Sequence, residues 1–138
     1  MHIDEKLLVT VNLFFQCALL IIVIIAGYLA RFKHQLKVHC LILRMAVILQ
    51  IVSIAAIMLP AMSGYIHRGG RSELFNIAML VHHILGLGVI TLWVYINLVV
   101  QRIIRPVGKL TTAMRLALFL WIIVLLMGIY LYLVTWVL

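Results

Sequence analysis

Two adjacent histidines, His82 and His83, stand inside a long apolar stretch of this 138-residue chain. On an α-helix, Met79, the two histidines and Gly86 would share one face. Polar side chains are costly in hydrocarbon, so such a pair marks a candidate site. A porphyrin requires an axial imidazole, an apolar slot and small residues for close packing. The stretch therefore predicts a haem b or metal site, with His82 or His83 as a ligand.

The pair also has a simpler interpretation. Each imidazole could form hydrogen bonds to a neighbouring helix, for example to Asn12 or Gln16, and such contacts are ordinary between membrane helices. Haem binding would need a second ligand. The candidates on the same side are His67, Met58, Met62 and Met127. His67 lies beside Arg68 and is equally consistent with a solvated loop residue.

A second group of candidate ligands lies near the start of the second apolar stretch. His39 and Met45 are the better candidates there, because His34 belongs to the basic connection before the stretch. His34 and His39 are five residues apart and would not share a helical face. Imidazole and thioether ligands also suit copper, the thioether above all the cuprous ion. We therefore expect His39 in haem or metal binding and Met45 in metal binding.

Depth separates the two groups. With spans centred near residues 49 and 88, the helical rise puts His39 about 15 Å to the inner side and His82 about 9 Å to the outer side. One iron cannot reach both. The sequence predicts two separate sites, which would suit electron transfer across a membrane through two haems. Alternatively, only one of the two sites is functional.

Four long apolar segments must position these residues. The chain is 67% hydrophobic and only 10% charged, whereas soluble domains have about 25% charged residues. A membrane span requires roughly 20 mostly apolar residues. Four segments meet this requirement, approximately 7–30, 38–62, 74–100 and 116–138. We predict an all-α fold, a single integral membrane domain formed as an up-and-down four-helix bundle.

The basic residues indicate orientation. The formal net charge is +8, but these residues lie at the ends of spans, which argues against a nucleic-acid partner. They cluster in the first and third connections as Arg31, Lys33, Lys37, Arg44, Arg102, Arg105, Lys109 and Arg115. The positive-inside rule places both connections in the cytoplasm. Both termini are then on the non-cytoplasmic side, and we expect a prokaryotic cytoplasmic membrane.

Other kinds of chemistry are poorly supported. Asp4, Glu5 and Glu73 lie near the ends of spans, so a buried carboxylate relay is not expected. Cys17 and Cys40 would lie on opposite sides of the bilayer, which disfavours a disulfide. Motifs for covalent haem attachment, zinc-type cysteine pairs and phosphate loops are absent. Gln50, Ser53 and Asn97 are expected to form hydrogen bonds between helices.

The order of these residues resembles domain-of-unknown-function family 420, small four-span membrane proteins of which some are associated with cytochrome oxidase maturation. The resemblance rests on His39, Arg44 and Met45, on His82, His83 and Gly86, and on Trp121 followed by Met127-Gly128-Ile129-Tyr130. It implies involvement with haem or an oxidase. The family's usual histidine before span four has no counterpart, so Met114 or a partner subunit would have to complete an inner haem site.

These observations predict a membrane-bound b-type haem protein acting in electron transfer or in respiratory oxidase assembly, rather than a stand-alone enzyme. Two alternatives stay open. The chain could be a cofactor-free accessory subunit of a larger membrane complex, or a protein that handles copper through histidine and methionine. The expected partners are the lipid bilayer and either a respiratory complex or further copies of the chain.

Overall fold

Four long helices form the described part of the protein. The computed structural model describes residues 2–60 and 72–137. Its helices are α1 (His2–Phe32), α2 (Leu36–Ser53, continued by a π-helical segment, Ile54–Met58), α3 (Glu73–Val100) and α4 (Leu110–Trp136). Each is long and apolar enough to cross a membrane. The prediction of an all-α protein with four membrane-length helices is confirmed.

The helices extend beyond the predicted spans where polar residues can meet water. Helix α4 begins at Leu110, six residues before the predicted start at 116. Thr111, Thr112 and Arg115 are exposed in its first turns. Such residues lower the hydropathy of the segment but can remain helical where water or headgroups solvate them. Hydropathy therefore identified the hydrophobic part of α4 and missed its polar beginning.

The chain forms two compact units, Met1–Gly70 and Arg71–Leu138. In the first unit α1 packs on α2, and contacts near both ends show that the pair is antiparallel. The buried side chains are Asn12, Gln16, Leu19, Val23 and Ala26 on α1, and Leu43, Ala46 and Ser53 on α2. Their alternating spacings of three and four residues are those of a coiled-coil seam. Polar residues therefore occupy one end of an otherwise apolar seam.

In the second unit α3 packs on α4, also antiparallel. Trp93 and Trp121 meet edge to face with ring centroids 5.8 Å apart, while His82 lies against Gly128. Aromatic edge-to-face pairs add roughly 0.5–1.5 kcal/mol beyond the area that they bury. These two contacts fix the register in which His82 faces α4.

The π-helical segment has a cause in the sequence. Pro60 has no backbone N–H, and its ring clashes with the carbonyl four residues earlier in a regular α-helix. The preceding helix is wound more widely, and the backbone N–H of Leu59 donates to the carbonyl of Ile54, five residues before it. A π turn accommodates one extra residue. Pro60 thus changes the end of α2 without ending the helix at once.

Helix α3 is capped at both ends. The Ser72 hydroxyl accepts a hydrogen bond from the Phe75 N–H (3.4 Å) at its start. At its end, Arg102 N–H donates to Val99 and Ile103 N–H donates to Leu98. This is a Schellman motif, and Arg102 occupies the left-handed position (φ 61°) that usually belongs to glycine.

Candidate functional site

His82 is buried between α3 and α4. A β-carbon added to Gly128 would lie 3.2 Å from Cε1 and 4.0 Å from Nδ1 of His82. Its Nδ1 is buried and has no hydrogen-bond partner among the described residues. This nitrogen therefore faces the α4 backbone, and the Cε1 edge of the ring fills the space beside Gly128.

His83 has a different environment although it is the next residue. Its Nδ1 lies 2.7 Å from the Met79 carbonyl oxygen. Because a carbonyl can only accept, Nδ1 carries a proton, and in the neutral ring Nε2 keeps its lone pair. A histidine that binds a metal commonly donates its other N–H to a backbone carbonyl in this way. His83 is only partly buried, so its geometry suits ligation through Nε2.

The two rings are held almost at right angles. Their centroids are 5.5 Å apart with an interplanar angle of 82°. They therefore present their nitrogens in different directions and do not form a two-histidine clamp. The structure gives the two rings different environments, one packed on Gly128 and one bonded to the Met79 carbonyl, a difference that their adjacency in sequence could not show.

The glycine that matters for packing also differs from the one that the sequence suggested. A β-carbon on Gly86 would make only an ordinary contact, 3.8 Å from Cγ1 of Val124. Gly128 is the position where His82 approaches the opposite helix closely. Its spacing was an available signal, because Trp121 and Gly128 are seven residues apart and belong to one helical face.

His39 repeats the arrangement of His83 in the first unit. Its Nδ1 lies 2.9 Å from the carbonyl oxygen of Ala26 on α1. The N–H must again be on Nδ1, and in the neutral ring Nε2 keeps its lone pair. Met45 is exposed and lies six residues further along α2, so it is on a different face. The structure therefore leaves Nε2 of His39 outside this hydrogen bond and does not bring Met45 to it.

The buried polar residues of α1 bind Ser53. The Ser53 hydroxyl donates to Oδ1 of Asn12 (2.5 Å) and accepts from Nε2 of Gln16 (3.3 Å). We call these three residues the polar seam. The prediction that Ser53 bonds between helices is confirmed.

Gln50 and Asn97 were also expected to form hydrogen bonds between helices, and the described residues show neither bond. Oε1 of Gln50 is buried without a partner in the described part of the chain. Asn97 donates to the Trp93 carbonyl one turn earlier in its own helix (3.0 Å). An amide at this spacing can satisfy its donor within one helix, and the sequence could not show which partner it would take.

The remaining candidate ligands are dispersed or lie outside the description. His67 and Met62 fall outside the described residues. Met58 is partly buried on the π-helical segment, and Met114 and Met127 are partly buried on α4. Within residues 2–60 and 72–137, no three His, Cys, Asp or Glu side chains are grouped to hold a metal ion.

The fold defines the class of this chain as a small helical protein with four helices that could span a membrane. Comparison with known proteins found no matching family model, curated protein or solved structure. The resemblance to domain-of-unknown-function family 420 therefore stays a hypothesis.

Proposed function

We propose that this chain is a membrane-bound b-type haem protein that acts in electron transfer or in respiratory oxidase assembly. The observation that carries the proposal is the hydrogen bond from His83 Nδ1 to the Met79 carbonyl (2.7 Å). It fixes the tautomer that keeps Nε2 available as a ligand. An imidazole inside a membrane span is costly, and a role in binding haem would account for its presence there.

A bound haem would supply one-electron redox chemistry. The residues of the chain would hold and orient it. The Met79 carbonyl sets the plane of the His83 ring, while the packing of His82 on Gly128 fixes the register of α3 against α4. His39, oriented by the Ala26 carbonyl, is the second imidazole with this geometry. A further residue to hold the haem would be His67 or would come from a partner subunit.

The proposed orientation has both termini on the non-cytoplasmic side. The connections between α1 and α2 and between α3 and α4 carry exposed basic residues, among them Lys33, Arg102 and Arg105. Basic connections are retained in the cytoplasm. His83 would then lie towards the outer side of the membrane and His39 towards the cytoplasm.

A visible spectrum of protein purified from haem-replete cells tests the proposal. We expect a Soret band in the wild type that is lost in His83→Ala and retained in His82→Ala. The two variants remove the same group from adjacent residues, so each controls for the other. A colourless wild-type protein, or a wild-type Soret band in His83→Ala, would overturn the proposal.

Copper handling is the second candidate function, because Met79 lies one turn before His83 on the same helical face. Imidazole and thioether groups together suit the cuprous ion. Metal analysis of the same purified sample distinguishes the two functions. Stoichiometric copper that disappears in both Met79→Leu and His83→Ala would favour copper handling. A sample with neither haem nor copper would favour a cofactor-free accessory subunit.

A further inference from the structure

A shallow groove runs along the beginning of α2. Its walls are formed by Leu36, Lys37, Cys40, Leu41 and Arg44. These positions recur at intervals of three and four residues and therefore share one side of the helix. The groove lies where a membrane-length helix begins, a level at which lipid headgroups meet the hydrocarbon.

Two cations border this groove. Lys37 and Arg44 are exposed, and neither has an ion-pair partner in the described part of the chain. Their α-carbons are two helical turns apart, about 10.5 Å. Side chains on a helix lean towards its N-terminus, so Arg44 extends back towards Lys37. Both positive charges can therefore approach one anionic group at the upper end of the groove.

Apolar side chains continue from the groove down the helix. Leu41, Met45, Ile48 and Val52 lie on one face, and each is between 49% and 59% exposed. We call these four residues the apolar track. A cationic end joined to a long apolar path matches the chemistry of an amphiphile with a negatively charged headgroup.

We propose that this groove binds one anionic phospholipid. Its phosphate lies between Lys37 and Arg44, and one acyl chain follows the apolar track. Charge complementarity selects the headgroup, since the groove is bordered by two cations and no acidic side chain lines it. The continuity of the track with the groove selects a lipid over a soluble anion. This site is independent of haem binding.

The local probe is Cys40, which lines the groove and is one of two cysteines in the chain. With Cys17→Ser in every protein, Cys40 is the single thiol, and its alkylation rate reports whether the groove is covered. The protein is placed in phosphatidylcholine nanodiscs containing increasing fractions of phosphatidylglycerol. We expect alkylation to slow as the fraction of phosphatidylglycerol increases. The fraction that halves the alkylation rate, here called the half-point, measures the affinity of the groove for this lipid.

Two double variants with equal loss of charge test the location. Each cation near a membrane surface contributes about fivefold in affinity for anionic lipid. Lys37→Gln/Arg44→Gln should therefore raise the half-point by roughly 25-fold, whereas Arg102→Gln/Arg105→Gln should leave it within about twofold. Equal shifts in the two variants would mean a general effect of surface charge and would overturn the proposal. Thermal unfolding of each variant confirms that it is folded.

Soluble competitors, tested with protein in detergent, separate a lipid site from an anion site. Inorganic phosphate should not protect Cys40, and dihexanoyl phosphatidylglycerol should protect it much less than the dioleoyl lipid. Full protection by phosphate would show a simple anion site, and equal protection by the short-chain lipid would exclude a role for the apolar track. Either result, or equal protection by phosphatidylcholine, overturns the assignment.

Discussion

The imidazole of His82 occupies the space that a side chain on Gly128 would need. A β-carbon at position 128 would lie 3.2 Å from Cε1 of His82, closer than an ordinary carbon contact. The two residues belong to opposite helices of one hairpin, so neither can change size without affecting the other. A side chain at position 128 would require the His82 ring to move by a few tenths of an ångström.

Gly128→Ala should destabilise the second hairpin. The added methyl group must displace a buried ring, and overpacking of this kind typically costs about 1–3 kcal/mol. Gly86→Ala is the matched control, because its β-carbon would lie 3.8 Å from Val124. In a helix interior that change should be neutral or stabilising by up to about 1 kcal/mol. Reversible unfolding in detergent measures both.

The same pair can be tested for direct coupling. In a His82→Ala background the space opposite position 128 is empty, so Gly128→Ala should lose most of its cost. A double-mutant cycle measures this coupling. If Gly128→Ala were equally destabilising with and without His82, the contact between the two residues would not be the cause.

Ser53→Ala should weaken the first hairpin. The hydroxyl joins Asn12 and Gln16 through two hydrogen bonds, and its loss leaves both buried side chains without that partner. Polar contacts between membrane helices contribute about 0.6–1.7 kcal/mol each, so we expect a loss of stability in that range or slightly above it. Equilibrium unfolding in mixed detergent micelles provides the measurement.

The control for the Ser53 experiment is Thr91→Val. The Thr91 hydroxyl is exposed and donates to the Leu87 carbonyl of its own helix (2.9 Å). Its removal should change stability by less than about 0.5 kcal/mol. Comparable losses in the two variants would show that the polar seam does not stabilise the hairpin more than an intrahelical bond does.

Arg102→Gly should stabilise the end of α3. Arg102 has a left-handed backbone (φ 61°), which is unfavourable for a residue with a β-carbon. Glycine removes that strain, and we expect a gain of about 0.5–1 kcal/mol. Arg105→Gly removes the same charge from the same connection and should not increase stability. Melting temperatures of the two proteins distinguish backbone strain from charge.

The proposed orientation predicts which connections are accessible from outside the cell. In a protein with both native cysteines replaced by serine, Val107→Cys and Val137→Cys introduce single thiols at exposed positions. An impermeant maleimide should label position 137 in intact cells and position 107 only after permeabilisation. The reverse pattern would place the termini in the cytoplasm.

Hydropathy was sufficient to predict the four helices, because apolar length alone determines whether a segment can span a membrane. The prediction that His82-His83 is unusual also came from the sequence. The sequence could not show which of the two histidines is buried, because the answer depends on the register of α3 against α4. The Trp93–Trp121 pair and Gly128 determine that register through contacts between distant residues.

The hydrogen-bond partners were harder to predict than the helices. Ser53 was expected to bond between helices, but nothing in the sequence specified Asn12 and Gln16 as its partners. His39 and His83 both use the carbonyl oxygens of a helix backbone. A sequence does not display such acceptors, because every residue carries one. The tautomers that leave Nε2 free were therefore visible only in three dimensions.

The π turn at Ile54–Met58 also changes the direction in which the following residues of this helix point. Each residue of an α-helix rotates its successor by about 100°, so one additional residue turns everything beyond it to a new direction. The stripe of buried residues on α2 ends at Ser53, immediately before this turn, although the π-helical segment still contacts α1. Deleting one residue between 54 and 58 would restore a continuous stripe and rotate Leu59 and Pro60 with it. The π turn therefore sets the direction in which the last residues of this helix are presented, separately from the stripe that precedes it.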